Sequence, residues 1–176
     1  MKKVLKVIGI IFIVAYAALA ITLTVFLLNY NKYNITEING NSFIIIRDDE
    51  LKPDFKKGDL VIVKKNKNNE IIVGDKVFFY DTYKEVISVN LGTVVDKETI
   101  DRNEAKFVMN GDYPISSEYV IGKAKTSKVY SNLGTILSVL ESRFGFLFMI
   151  IFPILILFIY EIYIIIKELK SPLKNR

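Results

Sequence analysis

A run of acidic residues followed by a proline and a Gly-Asp pair is the part of the chain that most directly suggests chemistry. The stretch from Asp48 to Val63 reads D-D-E-L-K-P-D-F-K-K-G-D-L-V-I-V. Three adjacent carboxylates point in different directions, so they do not provide the opposed pair that shares a proton in aspartic catalysis. A cation site would need more oxygen ligands than this run supplies. A solvated acidic edge is the first interpretation, and a ligand contact made by Glu50 is the second.

Nucleophilic chemistry is limited by what the composition lacks. The chain has no histidine and no cysteine, which excludes a Ser-His-Asp triad, a thiol nucleophile and most zinc sites. We predict no metal and no other cofactor. The serines nearest the acidic run are Ser42 and Ser88, and Lys84 is the amine nearest Ser88. We interpret both serines as exposed strand residues rather than nucleophiles.

Three blocks of residues along the chain each contain a Gly-Asp pair. Pro53 is expected to fix the backbone after the acidic run, and Gly58-Asp59 to form a turn that starts a buried strand. Gly111-Asp112 is expected to turn the chain back toward the same site. The blocks are Pro53-x-Phe55-x-x-Gly58-Asp59, Val73-Gly74-Asp75-Lys76-Val77, and Gly111-Asp112 followed by Val120-x-Gly122-Lys123.

In order and spacing these blocks resemble type I signal peptidases, membrane serine endopeptidases that remove signal peptides from exported preproteins. The resemblance covers most of the chain from Asn29 onward. Glu50 stands where that family carries its nucleophilic serine, Leu51 where it carries a methionine, and Gly92 where it carries a basic lysine or histidine. A carboxylate would form a high-energy anhydride, and its charge opposes the developing oxyanion. Glycine has no side chain that could accept a proton.

The resemblance therefore implies a scaffold that has lost catalysis and whose cleft binds an extended segment of an exported protein by strand addition. Certain Gram-positive pilus loci encode a signal-peptidase-like accessory protein with an acid and a glycine at these two positions, which is required for pilin polymerisation beside a sortase. The implied partners are an exported protein or pilin segment and a sortase. The candidate groove and motif residues are Glu50, Leu51, Pro53, Phe55, Gly58, Asp59, Gly74, Asp75, Gly92, Gly111 and Asp112.

Two alternative functions remain open. The chain could be an active type I signal peptidase with a displaced nucleophile. It could also be a structural anchor that binds no ligand, and the absence of an exposed apolar groove near Leu51 and Phe55 would favour that class.

Short β-branched and aromatic runs separated by Gly, Asn and Asp predict the elements that hold this site. We expect a mainly β fold, a small signal-peptidase-like barrel or pair of packed sheets, flanked by two transmembrane helices. The predicted strands are 42–47, 60–64, 76–80, 85–89, 92–96, 106–109 and 119–125. The predicted turns are 65–69, 110–112 and 132–134, and a short helix is predicted over 135–142.

Two apolar stretches, 7–28 and 144–166, are each a little over 20 residues long, enough to cross a hydrocarbon core of about 30 Å as helices. The first lacks an A-x-A-like cleavage site, so it is predicted to be an uncleaved signal anchor. Pro153 is expected to kink the second span. The predicted organisation is a cytosolic start (1–6), a transmembrane helix (7–28), an outer β domain (29–143), a transmembrane helix (144–166) and a cytosolic tail (167–176).

The basic residues at the two ends account for the whole net charge of +5, and the segment 29–143 is neutral. Basic flanks predict that both termini are cytosolic. The central domain is then extracellular on a two-pass protein of the plasma membrane, and the Lys-, Asn- and Ile-rich composition is typical of a low-GC Gram-positive bacterium. The basic balance is a topology signal and points to the lipid bilayer as a partner, not to nucleic acid.

Overall fold

The computed structural model describes residues 2–82, 87–101, 104–111 and 113–170. The chain divides into two compact units, Thr24–Leu137 on one hand and Met1–Leu23 with Ser138–Arg176 on the other. In chain order the elements are α1 (Lys2–Leu28), β1 (Thr36–Ile38), β2 (Asn41–Ile45), β3 (Leu60–Lys64), a 3-10 turn (Asn68–Glu70), β4 (Lys76–Asp81), β5 (Ser88–Thr99), β6 (Ala105–Met109), β7 (Tyr113–Ser116), a 3-10 turn (Ser117–Tyr119), β8 (Val120–Lys123), a 3-10 turn (Ala124–Thr126), β9 (Lys128–Tyr130), α2 (Leu133–Glu141), α3 (Arg143–Phe146), a π-helical turn (Leu147–Ile151) and α4 (Phe152–Lys170).

The Thr24–Leu137 unit is mainly β, as predicted. Nine strands within the described residues form two antiparallel sheets. Sheet 1 has the strand order β1-β2-β3-β9, and sheet 2 has the order β7-β6-β5-β4-β8. Ile44 lies opposite Val61 in sheet 1, and Val77 lies opposite Gly92 in sheet 2. Of the two predicted arrangements, these linear strand orders agree with a pair of packed sheets.

Strand β4 is buried on both faces, since its alternate side chains pack into two different hydrophobic clusters. Phe78 and Tyr80 face the first cluster and Val77 and Phe79 face the second. Burying a side chain of this size stabilises the fold by about 1.5–3 kcal/mol. The first cluster also contains Ile44, Ile46, Leu51, Phe55, Val61, Val63 and Ile121. The second also contains Ile71, Val94, Ala105, Phe107, Met109, Ile115 and Val120.

Two glycines set how the strands connect and approach. Asn39 (φ 50°) and Gly40 (φ 72°) form the two-residue turn between β1 and β2. Positive φ at both positions is the type I′ geometry that matches the twist of a hairpin. Gly122 lies where β8 crosses sheet 1, and a Cβ there would collide with the carbonyl oxygen of Lys64.

The segment that follows α1 is held to the sheets by polar contacts. The Asn31 amide donates to Tyr80 Oη at 2.6 Å and to Glu37 Oε1 at 2.8 Å. Burial raises the pKa of Tyr80 far above its ordinary value, so its hydroxyl stays protonated and donates to Glu37 Oε1 at 3.3 Å. Tyr33 stacks on Tyr80 with ring centroids 4.1 Å apart.

Several predicted boundaries were wrong. Residues 88–89 of the predicted strand 85–89 and the whole predicted strand 92–96 belong to one continuous strand, β5, which runs from Ser88 to Thr99. Residues 83–86 lie outside the described part. Of the predicted turn at 132–134, only Asn132 lies in a turn, with a positive φ, because α2 begins at Leu133. Strands β1, β7 and β9 were not predicted, because they are only three or four residues long and lack a hydrophobic run.

Two helical segments, Val7–Leu28 and Arg143–Leu169, are long and apolar enough to cross a membrane, judged on the described residues. Most of the first segment and all of the second belong to the other unit. The second segment changes to a π-helical turn just before Pro153, where the Phe152 amide donates to the Leu147 carbonyl. Pro153 has no amide proton for the Met149 carbonyl, its partner in a regular α-helix. The Tyr16 hydroxyl lies 2.8 Å from the carbonyl oxygens of both Met149 and Ile150 and donates to them.

Gly122→Ala should destabilise the β unit by about 1–3 kcal/mol, because the added methyl group forces β8 away from the Lys64 carbonyl. Gly9→Ala is the matched control, since a Cβ at Gly9 meets nothing within 4 Å. The free energy of unfolding of the full chain in detergent measures the difference. Equal stability of the two variants would contradict the close approach of β8 and sheet 1.

Tyr16→Phe should weaken the association of the two apolar helices by about 1 kcal/mol, since interhelical hydrogen bonds in a membrane have that order of strength. Thermal unfolding of the full chain in detergent would show a lower midpoint. Tyr163→Phe is the control, because that side chain is 60% exposed on the second segment. A midpoint lowered as much by the control as by Tyr16→Phe would rule out the specific contact.

Candidate functional site

The loop between β2 and β3 is closed at its base and anchored by two apolar side chains. The Ile46 amide donates to the Asp59 carbonyl at 2.9 Å, and the Gly58 amide donates to the Ile46 carbonyl at 2.8 Å. Leu51 (8% exposed) and Phe55 (6% exposed) are buried in the first hydrophobic cluster. The Phe55 amide donates to the Leu51 carbonyl at 3.1 Å, so both side chains lie on the same side of one turn. Lys52, Pro53 and Asp54 between them are exposed to solvent.

The turn at Gly58-Asp59 has the predicted role of starting a buried strand. Gly58 has φ +92°, a conformation that side chains disfavour, and β3 begins at Leu60. Asp59 accepts the Lys56 amide at 3.0 Å. The Thr135 amide donates to the Gly58 carbonyl at 3.2 Å, and a Cβ at Gly134 would collide with the Asp59 carbonyl. This turn therefore receives the first turn of α2.

The three acidic residues that precede Leu51 have different tasks. Asp48 Oδ1 accepts the Glu50 amide at 3.1 Å, which closes a local turn. Asp49 pairs with Lys52 at 3.0 Å and accepts the Lys57 amide at 3.2 Å. The hydrogen bond from Lys52, followed by that from the Lys57 amide, lowers the pKa of Asp49. Asp48 and Asp49 stabilise the loop through these bonds, whereas Glu50 lines a cleft.

A cleft of about 210 Å³ lies between this loop and sheet 2. One wall is the loop with Glu50, and the other is β5 with Gly92. Glu50 and Gly92, the predicted nucleophile and base positions, are thus in the walls of the same cleft. The lining residues are Glu50, Leu51, Lys52, Asp54, Lys76, Asn90, Leu91, Gly92, Thr93 and Asn110.

The β5 wall has a backbone edge that β6 does not cover. β5 pairs with β4 from Ser88 to Thr93 but with β6 only from Val94 onward. Val94 bonds toward β4, because its amide donates to Asp75 and its carbonyl accepts from Gly74. Since backbone groups alternate between the two edges of a strand, Val89, Leu91 and Thr93 present theirs to the opposite edge. Among the described residues, no strand pairs with this edge at Val89 and Leu91.

Gly92 is buried and has little room beside it. A Cβ at this position would lie 3.0 Å from the Phe79 ring, 3.3 Å from Met109 Cβ and 3.4 Å from Asn110 Oδ1. A larger side chain would require these neighbours to move by a few tenths of an ångström. Gly92 therefore lines the cleft through its backbone and leaves the second hydrophobic cluster intact.

The remaining predicted motif residues support the cleft from outside its walls. Gly74 (φ +92°) and Gly111 (φ +94°) occupy turns, and Pro53 is exposed at the tip of the loop. Asp75 pairs with Lys123 at 2.7 Å, which joins the second block to the third. Burial alone would raise the pKa of Asp75, but hydrogen bonds from the Ile72 amide and Lys123 lower it. Asp112 lies outside the described residues.

Sequence reasoning missed most of the polar groups in the cleft. Lys76 and Thr93 are cross-strand partners, and Asp54 forms an ion pair with Lys76 at 2.7 Å across the cleft wall. Asn90 and Asn110 contribute side-chain amides. The position of Thr93 next to Gly92 in the sequence could have identified it, but the pairing of Lys76 with Thr93 depends on sheet register.

The two serines are not exposed strand residues as predicted. Ser42 is only 4% exposed and lies within sheet 1. Ser88 is half-buried, with a buried hydroxyl oxygen that has no hydrogen-bond partner among the described residues. Neither serine belongs to the cleft lining, and Lys84 lies outside the described residues. In the described part of the chain no group of three or more acidic side chains is arranged to hold a metal ion.

Comparison of the chain with protein-family models and with curated proteins finds no match. The relation to signal peptidases therefore stays a prediction from the three blocks and from the residues that meet in the cleft.

Acidification tests the ion pair that joins the blocks. Because the pKa of Asp75 is lowered in the folded protein, its contribution to stability is complete above the ordinary value of 3.8 and is lost as the pH falls through the folded-state pKa. Between about pH 5 and about pH 3, the urea midpoint of the wild-type protein should therefore fall more than that of Asp75→Asn. Lys123→Met should also reduce the fall. Identical pH dependence in all three proteins would contradict this role.

Proposed function

We propose that this protein is a catalytically inactive, membrane-anchored relative of type I signal peptidases that holds an extended segment of an exported polypeptide. The observation that carries the proposal is that Glu50 and Gly92, aligned with the nucleophile and base positions by separate sequence blocks, line one cleft. A chance match of short motifs would not require these two positions to face the same space.

The residues of the cleft do not form a nucleophile and base pair of the signal peptidase kind. Glu50 carries a negative charge where an oxyanion would have to develop, and Gly92 carries no base. A hydroxyl is present as Thr93 and two amines as Lys52 and Lys76. The Lys52 ammonium is bonded to Asp49 at 3.0 Å and the Lys76 ammonium to Asp54 at 2.7 Å. Activation of a hydroxyl requires a base within hydrogen-bond reach of it. Binding without cleavage is the function that this arrangement supports best.

The uncovered edge of β5 supports binding through the peptide backbone. Strand addition uses main-chain hydrogen bonds for affinity and side-chain pockets for specificity. The uncovered edge presents the backbone groups of Val89 and Leu91, and the side chains that line the cleft are mostly polar. The bound segment would therefore be an extended polar stretch rather than the apolar core of a signal peptide. The resemblance to accessory proteins of pilus loci makes a pilin segment, held beside a sortase outside the plasma membrane, the proposed occupant.

The burial of Leu51 and Phe55 favours a second candidate function. Both side chains are in the hydrophobic core, so they do not form an exposed apolar groove beside the cleft. This is the arrangement expected of a structural anchor that binds no peptide. The two candidates differ in whether the cleft is occupied in cells.

The protein should not cleave exported precursors. Purified in detergent and incubated with a signal-peptide-bearing preprotein, it should give no specific product above a protein-free blank. Specific cleavage that is abolished by Thr93→Ala, Lys76→Ala, Ser42→Ala or Ser88→Ala would instead establish an active peptidase with a displaced nucleophile.

Crosslinking in cells should detect the occupant. Because the chain has no cysteine, Glu50→Cys provides a single attachment point for a photo-crosslinker in the cleft. We expect a discrete adduct with an exported polypeptide, and no such adduct from Lys106→Cys, an exposed position on β6. Equal, diffuse labelling from both positions would favour the structural anchor.

A further inference from the structure

The edge of β5 inside the cleft is already occupied by two asparagine side chains. Asn90 Oδ1 accepts the amide of Leu91 at 2.8 Å, and Asn110 Oδ1 accepts the amide of Thr93 at 2.8 Å. A side-chain amide has the same acceptor and donor groups as a peptide unit. Each asparagine therefore takes the place that the backbone of an added strand would take.

The two asparagines differ in the hydrogen bonds that fix their positions. Asn110 also donates its backbone amide to the Thr93 carbonyl at 2.9 Å, so it satisfies both backbone groups of Thr93, as a strand partner would. Asn90 bonds to the residue that follows it, and its own amide group reaches Asp81 Oδ2 only at 3.4 Å. A hydrogen bond of that length is at the weak limit. Asn90 is therefore the cap that can rotate away, whereas Asn110 closes the strand.

We propose that the Asn90 side chain is a built-in competitor that occupies the Leu91 amide until a peptide strand displaces it. This inference rests on the proposed function and specifies its register: the added strand bonds to Leu91 and Val89 and ends before Thr93, where Asn110 blocks it. The cap also protects an exposed edge from pairing with unrelated strands, a common hazard of uncovered sheet edges. Affinity for the occupant is lower than it would be at an uncapped edge, and selectivity for a well-matched strand is higher.

Variants of Asn90 separate the cap from simple packing. Asn90→Ala removes the competitor, and Asn90→Asp keeps an oxygen that can accept the Leu91 amide. The probe is a fluorescein-labelled, amidated octapeptide of alternating threonine and valine, added to the full chain in detergent. Fluorescence polarisation should show about fivefold tighter binding to Asn90→Ala than to the wild type, which is the order expected when one hydrogen bond no longer has to be broken. Asn90→Asp keeps an acceptor for the Leu91 amide but loses the bond to Asp81, so it should bind less tightly than Asn90→Ala.

Hydrogen exchange provides a second readout that needs no peptide. The Leu91 amide should exchange at least several-fold faster in Asn90→Ala than in the wild type, while the Thr93 amide is unchanged. If the wild type and Asn90→Ala bind the peptide equally well, Asn90 does not compete with the added strand, while the proposed strand addition is retained. If neither protein binds the peptide, the proposed strand addition fails and the cap fails with it. Unchanged exchange at Leu91 also overturns the cap.

Discussion

The candidate site exists because β6 does not extend along the first half of β5, from Ser88 to Thr93. The chain turns at Asn110 and Gly111, and Asn110 closes the strand pairing at Thr93 with a backbone and a side-chain hydrogen bond. On the other side of that closure, Val89 and Leu91 have β4 on one edge and no described strand on the other, and Leu91 lines the cleft. Backbone donors and acceptors must find partners, so an edge of this kind has to be capped, solvated or paired with another chain. The asparagine caps provide such partners in the free protein, and the proposed peptide would provide them in the complex.

The same sheet explains how the proposed degenerate active site can keep its shape. β4 is buried on both faces and fixes β5 beside it, and the loop that carries Glu50 is anchored through Leu51 and Phe55 rather than through any catalytic group. The Asp75–Lys123 pair and the contact of Gly122 with Lys64 tie the later blocks to the same scaffold. None of these interactions needs a serine or a base. Residues that maintain the fold can therefore persist where the reactive pair does not.

Much of the scaffold could be predicted from the sequence, because local patterns of residue types determine these strands, turns and helices. The β-branched runs gave β3, β4 and β6 within a residue, the Gly58-Asp59 turn was correct, and both apolar helices were identified. What could not be predicted depends on register and on distant contacts. The cross-strand pairing of Lys76 with Thr93, the continuity of β5 and the amide caps follow from how strands align, which residue types alone do not specify. The burial of Ser42 is of the same kind, because the faces of β2 are assigned only when its partners are known.

The central claim is that an extended polypeptide adds to β5 inside the cleft without being cut. Amide hydrogen exchange of Val89 and Leu91, measured in the full chain with and without the crosslinked exported polypeptide, tests it most directly. Strand addition predicts that exchange at these amides slows by about tenfold or more in the complex, with the partner recovered at its full mass. An inter-strand hydrogen bond is then formed at Val89 and replaces the single bond to the Asn90 side chain at Leu91. Exchange that is unchanged by the partner, or a partner recovered as two fragments, would contradict the account.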